Sequence, residues 1–203
     1  MRITSIRQTS PGRLTVALED GAEVKSTLGV VTDLRLFSGR DLDEEQLRLL
    51  RRDSRRSLAR ERALEYLSRR QMSRKELKSK LLDKGEDEDT ADFCVQWLTE
   101  QGFLDDGRYA AAVARHYAAK GYGPGRVRAE LSRRGVPRDC WEEALEAAPP
   151  ADEKLDRFIA ARLKDPEDRD ALRKLSAALY RRGYGWEEIR AALSRYHANI
   201  EDE

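Results

Sequence analysis

Apolar residues are spaced in two different ways along the chain, and the first fifty residues differ from the rest. In this part Leu14, Val16 and Leu18 alternate with polar or small residues, which is the period of a β-strand. The turn-forming pairs Pro11-Gly12 and Asp20-Gly21 flank that run. Because so small a sheet is marginally stable alone, we expect it to pack on other elements. The pattern predicts a small β-hairpin or meander, with strands near 2–8, 13–19 and 23–27.

A linking region joins the predicted strands to the remainder of the chain. The segment from Val30 to Leu36 is largely apolar and predicts a short helix or coil. Asp41 and Glu44 have the spacing of a capping box, which predicts that a helix begins at Asp41. From about residue 43 onwards, the apolar spacing is that of helices.

A sequence pattern occurs three times in the helical part. In each copy an apolar residue is followed four positions later by another, and three positions after that by a basic residue and glycine. A spacing of four places both apolar residues on one helix face, and glycine after a cation is typical of a helix end. The glycines lie 50 and 48 residues apart. The copies are Leu77, Leu81, Lys84-Gly85; Val127, Leu131, Arg134-Gly135; and Leu175, Leu179, Arg182-Gly183.

Each copy has room for one helix before it and one after it, which predicts a three-helix repeat of roughly 45–50 residues. Start signals precede the central helices: the capping box Ser73-Arg74-Lys75-Glu76, the turn Gly123-Pro124-Gly125 and the pair Asp165-Pro166. The predicted organisation is a β extension with a linking helix followed by three repeats, at 1–50, 51–103, 104–149 and 150–203.

The charges are balanced in total but arranged in blocks. With 39 Lys and Arg against 38 Asp and Glu, a uniformly basic protein that coats DNA is excluded. Residues 51–84 nevertheless carry a net charge of +8, residues 85–108 of −7, residues 109–138 of +6 and residues 139–170 of −6. The basic residues fall mainly on the first two helices of a repeat, and the acidic residues on the third helix or its junction.

Two interpretations of the basic residues stay open. In the first, they lie on solvated faces and pair with acids of neighbouring helices, where an exposed pair contributes only about 0–1 kcal/mol. In the second, they form a surface for a polyanion or for an acidic patch of a partner protein. The predicted partner-binding residues are Arg69, Arg70, Arg74, Lys75, Lys78, Lys120, Arg126, Arg128, Arg133 and Arg134.

Residue types that support catalysis do not combine into a catalytic set. His116 and His197 lie in different predicted repeats, and no serine or cysteine pattern points to either. Asp105-Asp106 fits a helix start, where acidic side chains accept hydrogen bonds from free backbone amides. The glycines between 121 and 125 have no preceding strand and no following Gly-Lys-Ser/Thr, so they do not indicate a phosphate loop. We therefore expect a non-enzymatic protein without metal or cofactor.

The remaining chemistry indicates a reduced compartment. Cys94 and Cys140 lack metal-ligand spacing and are interpreted as core thiols of a cytoplasmic protein. No apolar run approaches the ~20 residues of a membrane helix, and the sequence Met1–Ser5 lacks the apolar core of a secretory signal. The three tryptophans are interpreted as packing residues between repeats, at Trp97, Trp141 and Trp186.

Together these motifs resemble the RecX family, the regulators of RecA recombinase. The amino-terminal part fits the longer members, which carry a β-hairpin extension. Val127 stands where isoleucine is expected, and Gly125 fits the family pattern more loosely. The resemblance covers residues 55–200 and rests on Ala63-Leu64-x-Tyr66-Leu67, Ser73-Arg74-x-Glu76-Leu77-x-x-Lys80-Leu81-x-x-Lys84-Gly85, Gly102-Phe103-Leu104-Asp105-Asp106, and Lys120-Gly121-x-Gly123-Pro124-x-Arg126-Val127-x-x-Glu130-Leu131.

The resemblance implies a mainly α fold in which three tandem three-helix repeats form an elongated, curved array behind the β extension. It also implies binding to RecA, free and in its filament on DNA, with inhibition of the ATPase, strand-exchange and co-protease activities. No cofactor is implied. A weak direct contact with DNA and a monomeric state are further expectations.

Two other classes of function were weighed against this one. A DNA-binding protein of tandem helix-turn-helix-like modules is the first, because three-helix units with basic second helices resemble such modules. It predicts binding to naked DNA that weakens steeply as salt rises. A generic solenoid adaptor is the second, but a period near 49 residues matches neither the ~34 residues of tetratricopeptide repeats nor the ~33 of ankyrin repeats.

Overall fold

The computed structural model describes residues 1–149 and 152–196, which are mostly helical and begin with a three-stranded antiparallel sheet, as the sequence predicted. None of the described helices is both long and apolar enough to cross a membrane. The strands are β1 (Ile3–Ser10), β2 (Arg13–Leu18) and β3 (Glu23–Thr27). The helices are α1 (Leu28–Asp33), α2 (Glu44–Arg69), α3 (Arg74–Leu82), α4 (Glu88–Glu100), α5 (Asp106–Ala119), α6 (Pro124–Arg133), α7 (Trp141–Glu146), α8 (Asp152–Ala160), α9 (Arg169–Arg181) and α10 (Trp186–Ser194).

The sheet has the order β1-β2-β3, with Val16 of β2 opposite Ile6 on one side and Val24 on the other. One face is buried against α1 and the start of α2, because alternation along the strands places the apolar side chains on that face. The sheet therefore packs on helices, as its small size requires. The core residues are Ile3, Val16, Leu18, Val30, Val31, Leu36, Leu42 and Leu50.

The linking helix begins two residues later than predicted. Asp43, not Asp41, is the N-cap of α2, and it forms a reciprocal capping box with Gln46. Asp41 instead forms an isolated β-bridge with Arg2. The prediction failed because two pairs with capping-box spacing overlap here, Asp41–Glu44 and Asp43–Gln46, and Asp41 is held in the β-bridge.

By its internal contacts the chain divides into two compact units. The first contains Met1–Gln71 and Leu77–Leu104, and the second contains Met72–Glu76 together with the chain from Asp105 onwards. The β extension, α2 and α4 thus belong to the first unit. The second unit contains repeats two and three and also the segment that opens α3.

The three repeats are present as helix triplets. Repeat one uses the carboxyl-terminal part of α2 with α3 and α4, repeat two uses α5 to α7, and repeat three uses α8 to α10. In the second unit each repeat has its own apolar core, one around Val127 and Leu131 and one around Leu175 and Leu179. These are the apolar pairs that the repeat pattern predicted.

Most helix ends follow the sequence signals. Pro124 occupies the first turn of α6 after Gly123, as predicted. The start of α9 was predicted incorrectly, since its N-cap is Asp168 rather than Asp165. The side chain of Asp165 accepts a hydrogen bond from the Glu167 amide (2.9 Å), which makes a local turn before the helix.

Candidate interaction surface

The junction between repeats one and two lies at the amino terminus of α3. The Ser73 hydroxyl accepts a hydrogen bond from the Glu76 amide (3.1 Å), which confirms its predicted capping role, and donates one to the Arg134 carbonyl oxygen of α6 (2.6 Å). The carboxylate of Asp106, which is 2% exposed, accepts from the Arg74 amide (2.9 Å). A buried acid of repeat two thus caps a helix of repeat one.

The two aspartates predicted to start a helix therefore have different partners. Asp105 caps its own helix, because its side chain accepts from the Arg108 amide (2.9 Å). This hydrogen bond is the main cause that holds the pKa of Asp105 below its usual value. Asp106 reaches the preceding repeat instead, as described above for α3.

The junction between repeats two and three lies at the amino terminus of α6 and is made by backbone atoms. The Gly123 amide donates to the Arg182 carbonyl oxygen (3.0 Å), and the Gly125 amide donates to the Gly183 carbonyl oxygen (2.9 Å). A Cβ on Gly123 would lie 2.5 Å from the Gly183 oxygen. This close approach explains why glycine follows the basic residue in repeat three and flanks Pro124 in repeat two.

Most of the predicted partner-binding cations form ion pairs within the protein. Arg128 binds both carboxylate oxygens of Glu142 (3.1 and 3.2 Å). Lys78 lies between Glu88 and Asp92 (2.7 and 2.6 Å), and its pKa is raised mainly by the hydrogen bond to Asp92. Two further pairs are Arg69 with Glu65 (2.6 Å) and Arg74 with Asp106 (3.6 Å).

Arg133 and Arg134 both pair with Glu130, whose side chain is 5% exposed (2.5 and 2.7 Å). Hydrogen bonds from Arg133, then from Arg134, lower the pKa of Glu130 to about 2 against the opposing effect of burial. Burial alone would lower the pKa of Arg134, but the hydroxyl of Tyr109 (2.6 Å) and Glu130 raise it. Arg134 therefore joins the end of α6 to α5 through Tyr109, whereas the 68% exposed Arg133 pairs only with Glu130 on its own helix.

The other four predicted cations have different surroundings. Arg70 is exposed at the end of α2 and donates to the Gln71 carbonyl oxygen (3.2 Å). The exposed Lys75 lies close to Gly135, where an added Cβ would be 2.8 Å from the lysine Cδ. Lys120 is exposed at the end of α5, and Arg126 is exposed in the first turn of α6. The ten predicted residues are thus divided between the two units and do not all share one role.

A row of stacked arginines and aromatic rings lies at the second junction, and we call it the arginine–aromatic ladder. It consists of Arg126, Tyr122, Arg182, Phe158 and Arg162. The guanidinium carbons of Arg126 and Arg182 lie 5.9 and 5.4 Å from the Tyr122 ring centre. Those of Arg182 and Arg162 lie 4.2 and 3.8 Å from the Phe158 ring centre. Each such contact contributes about 0.5–1 kcal/mol at an exposed site.

The charge of the ladder is not compensated within the described chain. Over residues 1–149 and 152–196, Arg126, Arg162 and Arg182 form no ion pair with a carboxylate. The arginines stack on flat rings, which orients the guanidinium groups without neutralising them. Tyr122 also lines an apolar cleft of about 380 Å³ between repeats two and three, beside Val127, Leu155 and Tyr184. An acidic group with an apolar neighbour fits this surface.

Of the five ladder residues, only Arg126 was predicted from the sequence to bind a partner. Tyr122–Arg126 and Phe158–Arg162 are both aromatic–arginine pairs with a spacing of four, so this signal was available in the sequence. Arg182 was recognised only as part of a helix end. Its place between the two rings depends on the second junction, which no local pattern predicts.

The histidines and cysteines are the remaining candidate residues. His116 is exposed on α5, and His197 lies outside the described residues. Burial raises the pKa of the Cys94 thiol to about 11, and Cys140 is half-buried. Over residues 1–149 and 152–196, no cluster of three or more potential metal ligands is found.

The interpretation of the tryptophans as packing residues between repeats is not confirmed, because Trp97 and Trp141 contact residues of their own repeats and Trp186 is exposed. Trp97 lies half-buried beneath the Arg60 guanidinium (5.0 Å), and the Trp141 indole donates to the Val136 carbonyl oxygen (3.0 Å). Trp186 is 57% exposed, so it does not fill a space between repeats.

Three consecutive three-helix repeats define a tandem-repeat protein. Family models for the first, second and third three-helix domains of RecX match residues 59–98, 105–145 and 159–193. Each matched segment lies within one predicted repeat. The regulatory protein RecX of Xanthomonas axonopodis pv. citri (strain 306) is 43% identical over 136 residues, which cover 65% of this chain and 83% of that protein.

A second relative and a solved structure agree with this assignment. The regulatory protein RecX of Stenotrophomonas maltophilia (strain R551-3) is 37% identical over 139 residues, covering 67% of this chain and 85% of that protein. A crystal structure of a regulatory protein RecX superposes with a TM-score of 0.72 and covers 96% of this chain and 98% of its own; at 24% identity it supports the fold alone. The chain belongs to the RecX family of regulatory proteins.

Proposed function

We propose that this chain binds RecA recombinase, both free and in its filament on DNA, and lowers the ATPase, strand-exchange and co-protease activities of RecA. Membership of the RecX family supports this proposal, because the resemblance drawn from the sequence implies regulation of RecA. The proposal further includes a monomer that acts in the cytoplasm, a weak direct contact with DNA, and regulation through binding rather than catalysis.

The arginine–aromatic ladder is the proposed contact surface, because the charge of its arginines is not compensated by a carboxylate of the described chain. An acidic patch on a partner can pair with Arg126 and Arg162 without first breaking an internal ion pair. At Arg133 and Arg134, in contrast, a partner must compete with the buried carboxylate of Glu130. Displacing that carboxylate would leave a buried charge without its partner, which costs several kcal/mol.

Binding alone can inhibit a filament enzyme. A ligand that contacts two neighbouring protomers and prefers one relative orientation shifts the population towards that orientation. If this orientation does not support ATP turnover, hydrolysis slows. A ligand that occupies the space of a second DNA strand also blocks strand exchange. Neither route requires a catalytic group on the ligand.

The test is ATP hydrolysis by RecA on single-stranded DNA, measured together with filament length in an electron microscope. We expect a stoichiometric amount of this protein to lower both quantities. The double variant Arg126→Glu, Arg162→Glu should need about tenfold more protein for half-inhibition, because reversed charges oppose an acidic partner. Its melting temperature should fall only slightly, since neither side chain forms an ion pair in the described structure and each lost ring contact contributes only about 0.5–1 kcal/mol.

The matched control is Arg157→Glu on the same helix as Phe158. Arg157 is 75% exposed, and Glu153 already offsets its charge (3.1 Å), so this variant should inhibit as the original protein does. If the original protein leaves the rate and the filament length unchanged, regulation of RecA is wrong. If the double variant inhibits fully, the ladder is not the contact surface.

The helix-turn-helix hypothesis receives less support from the geometry. Such a module presents its second helix to the major groove. In repeat two that helix is α6, where Arg128, Arg133 and Arg134 are all held by carboxylates. Few of its cations are therefore available to phosphates or bases.

A further inference from the structure

A cavity of about 310 Å³ lies in the first unit, where the β extension packs on repeat one, and we call it the α1–α2 cavity. Its lining combines three arginines of α2 with apolar side chains of α1 and a ring of α4. A spacing of four places the three guanidinium groups on one helix face, over about 12 Å. The lining residues of these two kinds are Arg52, Arg56 and Arg60, and Val30, Leu34 and Phe93.

The positive charge of the cavity is only partly neutralised by acids of the protein. Arg56 pairs with Asp89 (2.7 Å), which is 77% exposed, so solvent screens this pair. Arg60 forms no ion pair with any residue that the structure describes. Its guanidinium carbon lies 5.0 Å from the Trp97 ring centre and 5.9 Å from that of Phe93. Stacking on rings orients Arg60 and leaves its charge available to an anion.

Arg56 is held in a position that leaves one of its donors unsatisfied. Its guanidinium carbon lies 4.2 Å from the Phe93 ring centre. The Nε atom is buried and has no hydrogen-bond partner within the described part of the chain. Such a donor costs free energy until an acceptor is brought to it. An oxyanion that enters the cavity brings acceptor oxygens to this arginine.

The cavity is not a requirement of the three-helix fold. Arg60 and Phe93 lie 25 residues before and eight residues after the glycine that follows α3. The same positions around the glycine that follows α6 hold Ala110 and Glu143. Repeat two thus forms the same triplet without an arginine or a ring at these positions. Because α1 supplies the apolar part of the lining, the cavity also depends on the packing of the β extension.

We propose that the α1–α2 cavity binds a small organic anion, with one carboxylate or phosphate group on an apolar body. The acidic group lies against Arg56 and Arg60, because the planar donors of a guanidinium match the oxygens of both groups. The apolar body lies against Val30 and Leu34. A volume near 300 Å³ is at the lower end of the range for small-molecule pockets. The inference is separate from RecA binding and from the arginine–aromatic ladder.

The test is a titration of the full chain, without RecA, followed by amide NMR signals. Phenylacetate and phenyl phosphate are the probes that carry both an acidic group and an apolar body. Inorganic phosphate carries the charge alone, and benzyl alcohol carries the body alone. We expect at least one of the first two probes to bind with a dissociation constant near about 1 mM, an ordinary affinity for so small a ligand. The other two probes should each bind at least about fivefold more weakly. The tighter of phenylacetate and phenyl phosphate identifies the preferred acidic group.

Two variants should change the affinity for the tighter probe in opposite directions. Arg60→Gln removes the unpaired cation and should weaken binding about tenfold. Asp33 is an exposed acid that also lines the cavity, so Asp33→Asn should strengthen anion binding about two- to threefold. The other acid of the lining, Asp53, is already paired with Arg52 (2.9 Å) and is left unchanged. Damage to the fold would weaken binding in both variants.

The matched control is Arg55→Gln on the same helix. Arg55 is exposed, pairs with Asp87 and lies outside the lining of the cavity, so this variant should bind the probe as the original protein does. Circular dichroism and the melting temperature establish that each variant is folded. The inference is overturned if neither phenylacetate nor phenyl phosphate binds the original protein, or if Arg60→Gln binds with unchanged affinity. It is equally overturned if Arg55→Gln weakens binding as much as Arg60→Gln does, or if inorganic phosphate or benzyl alcohol binds as tightly.

Discussion

Two junctions hold consecutive repeats of this protein together, and each joins the amino terminus of one central helix to the glycine end of the next. At the first junction the contacts come from side chains, with Ser73 and the buried Asp106 at the start of α3. At the second junction the backbone amides of Gly123 and Gly125 bind carbonyl oxygens directly. Equivalent helix ends are thus joined by side chains at the first junction and by backbone atoms at the second.

This difference determines which substitutions each junction tolerates. A side-chain contact can adjust, because rotamers change and a flexible lysine such as Lys75 can move away from Gly135. A backbone contact cannot adjust in this way, since a Cβ on Gly183 would collide with the backbone nitrogen of Arg126. The second junction also places Arg182 against Tyr122 (5.4 Å), so the ladder depends on glycine at positions that carry no functional group.

The largest expected effect comes from Gly183→Ala. Its φ of +90° strains any side chain, and the added Cβ collides with Arg126. We expect a loss of roughly 2–5 kcal/mol in the free energy of unfolding, from left-handed strain of about 1–2 kcal/mol and overpacking of about 1–3 kcal/mol. Urea unfolding of the full chain measures it.

Gly85→Ala is the matched control for the backbone junction. Gly85 ends α3 with a φ of +87°, but a Cβ there meets nothing within 4 Å. This variant should lose only the strain of about 1–2 kcal/mol. Equal losses in the two variants would show that the close approach at Gly183 contributes nothing.

An intermediate loss of unfolding free energy is expected at acidic pH, and it arises from Glu130 at the first junction. Glu130 holds Arg134, whose carbonyl oxygen accepts from Ser73. The pKa of Glu130 is lowered to about 2 in the folded protein, so its contribution is complete above the unfolded pKa near 4.5 and is lost as pH falls towards 2. We expect the difference in unfolding free energy between the original protein and Glu130→Gln to shrink by about 2 kcal/mol between about pH 5 and pH 2.5.

The backbone junction gives the internal comparison for this pH effect. The contacts of Gly123 and Gly125 with α9 involve no titratable group. The destabilisation by Gly183→Ala should therefore be similar at both pH values. If the difference in unfolding free energy between the original protein and Glu130→Gln does not change with pH, the charge of Glu130 does not stabilise the first junction.

The smallest effect is expected from Ser73→Ala, which removes both the cap on Glu76 and the hydrogen bond to Arg134. Loss of an N-cap costs about 1 kcal/mol, and thermal or urea unfolding resolves it. A loss clearly above about 1 kcal/mol would show that the hydrogen bond to the Arg134 carbonyl oxygen contributes in addition to the cap. Unchanged stability would show that Ser73 does not stabilise the first junction.

Much of the helical fold could be predicted because its signals are local. A helix end needs a residue that tolerates positive φ, and glycine follows a cation at all three predicted ends. The errors also have local causes. At Asp41 and Asp165 a capping residue was present, but the backbone used it for a β-bridge and a turn. Capping patterns predict that a helix begins nearby more reliably than they predict which residue begins it.

The candidate site was predicted only in part, because charge patterns along the chain do not reveal pairing. Arg126 and Arg128 look equivalent in the sequence. In the structure Arg128 is held by Glu142, fourteen residues further on, whereas Arg126 stacks on Tyr122 and forms no ion pair in the described part of the chain. Whether a cation is available depends on what the neighbouring helix presents to it.

The sequence by itself determined the helix triplets, the glycine ends of their central helices and the family, because spacing and glycine act within a few residues. Only the tertiary structure decided which side chains lie together. It placed the buried Asp106 against the Arg74 amide, left Trp186 exposed, and assembled the ladder from Tyr122 and Phe158 of different repeats. The contacts of Asp106 with Arg74 and of Tyr122 with Arg182 join residues more than 30 positions apart, which local patterns do not predict.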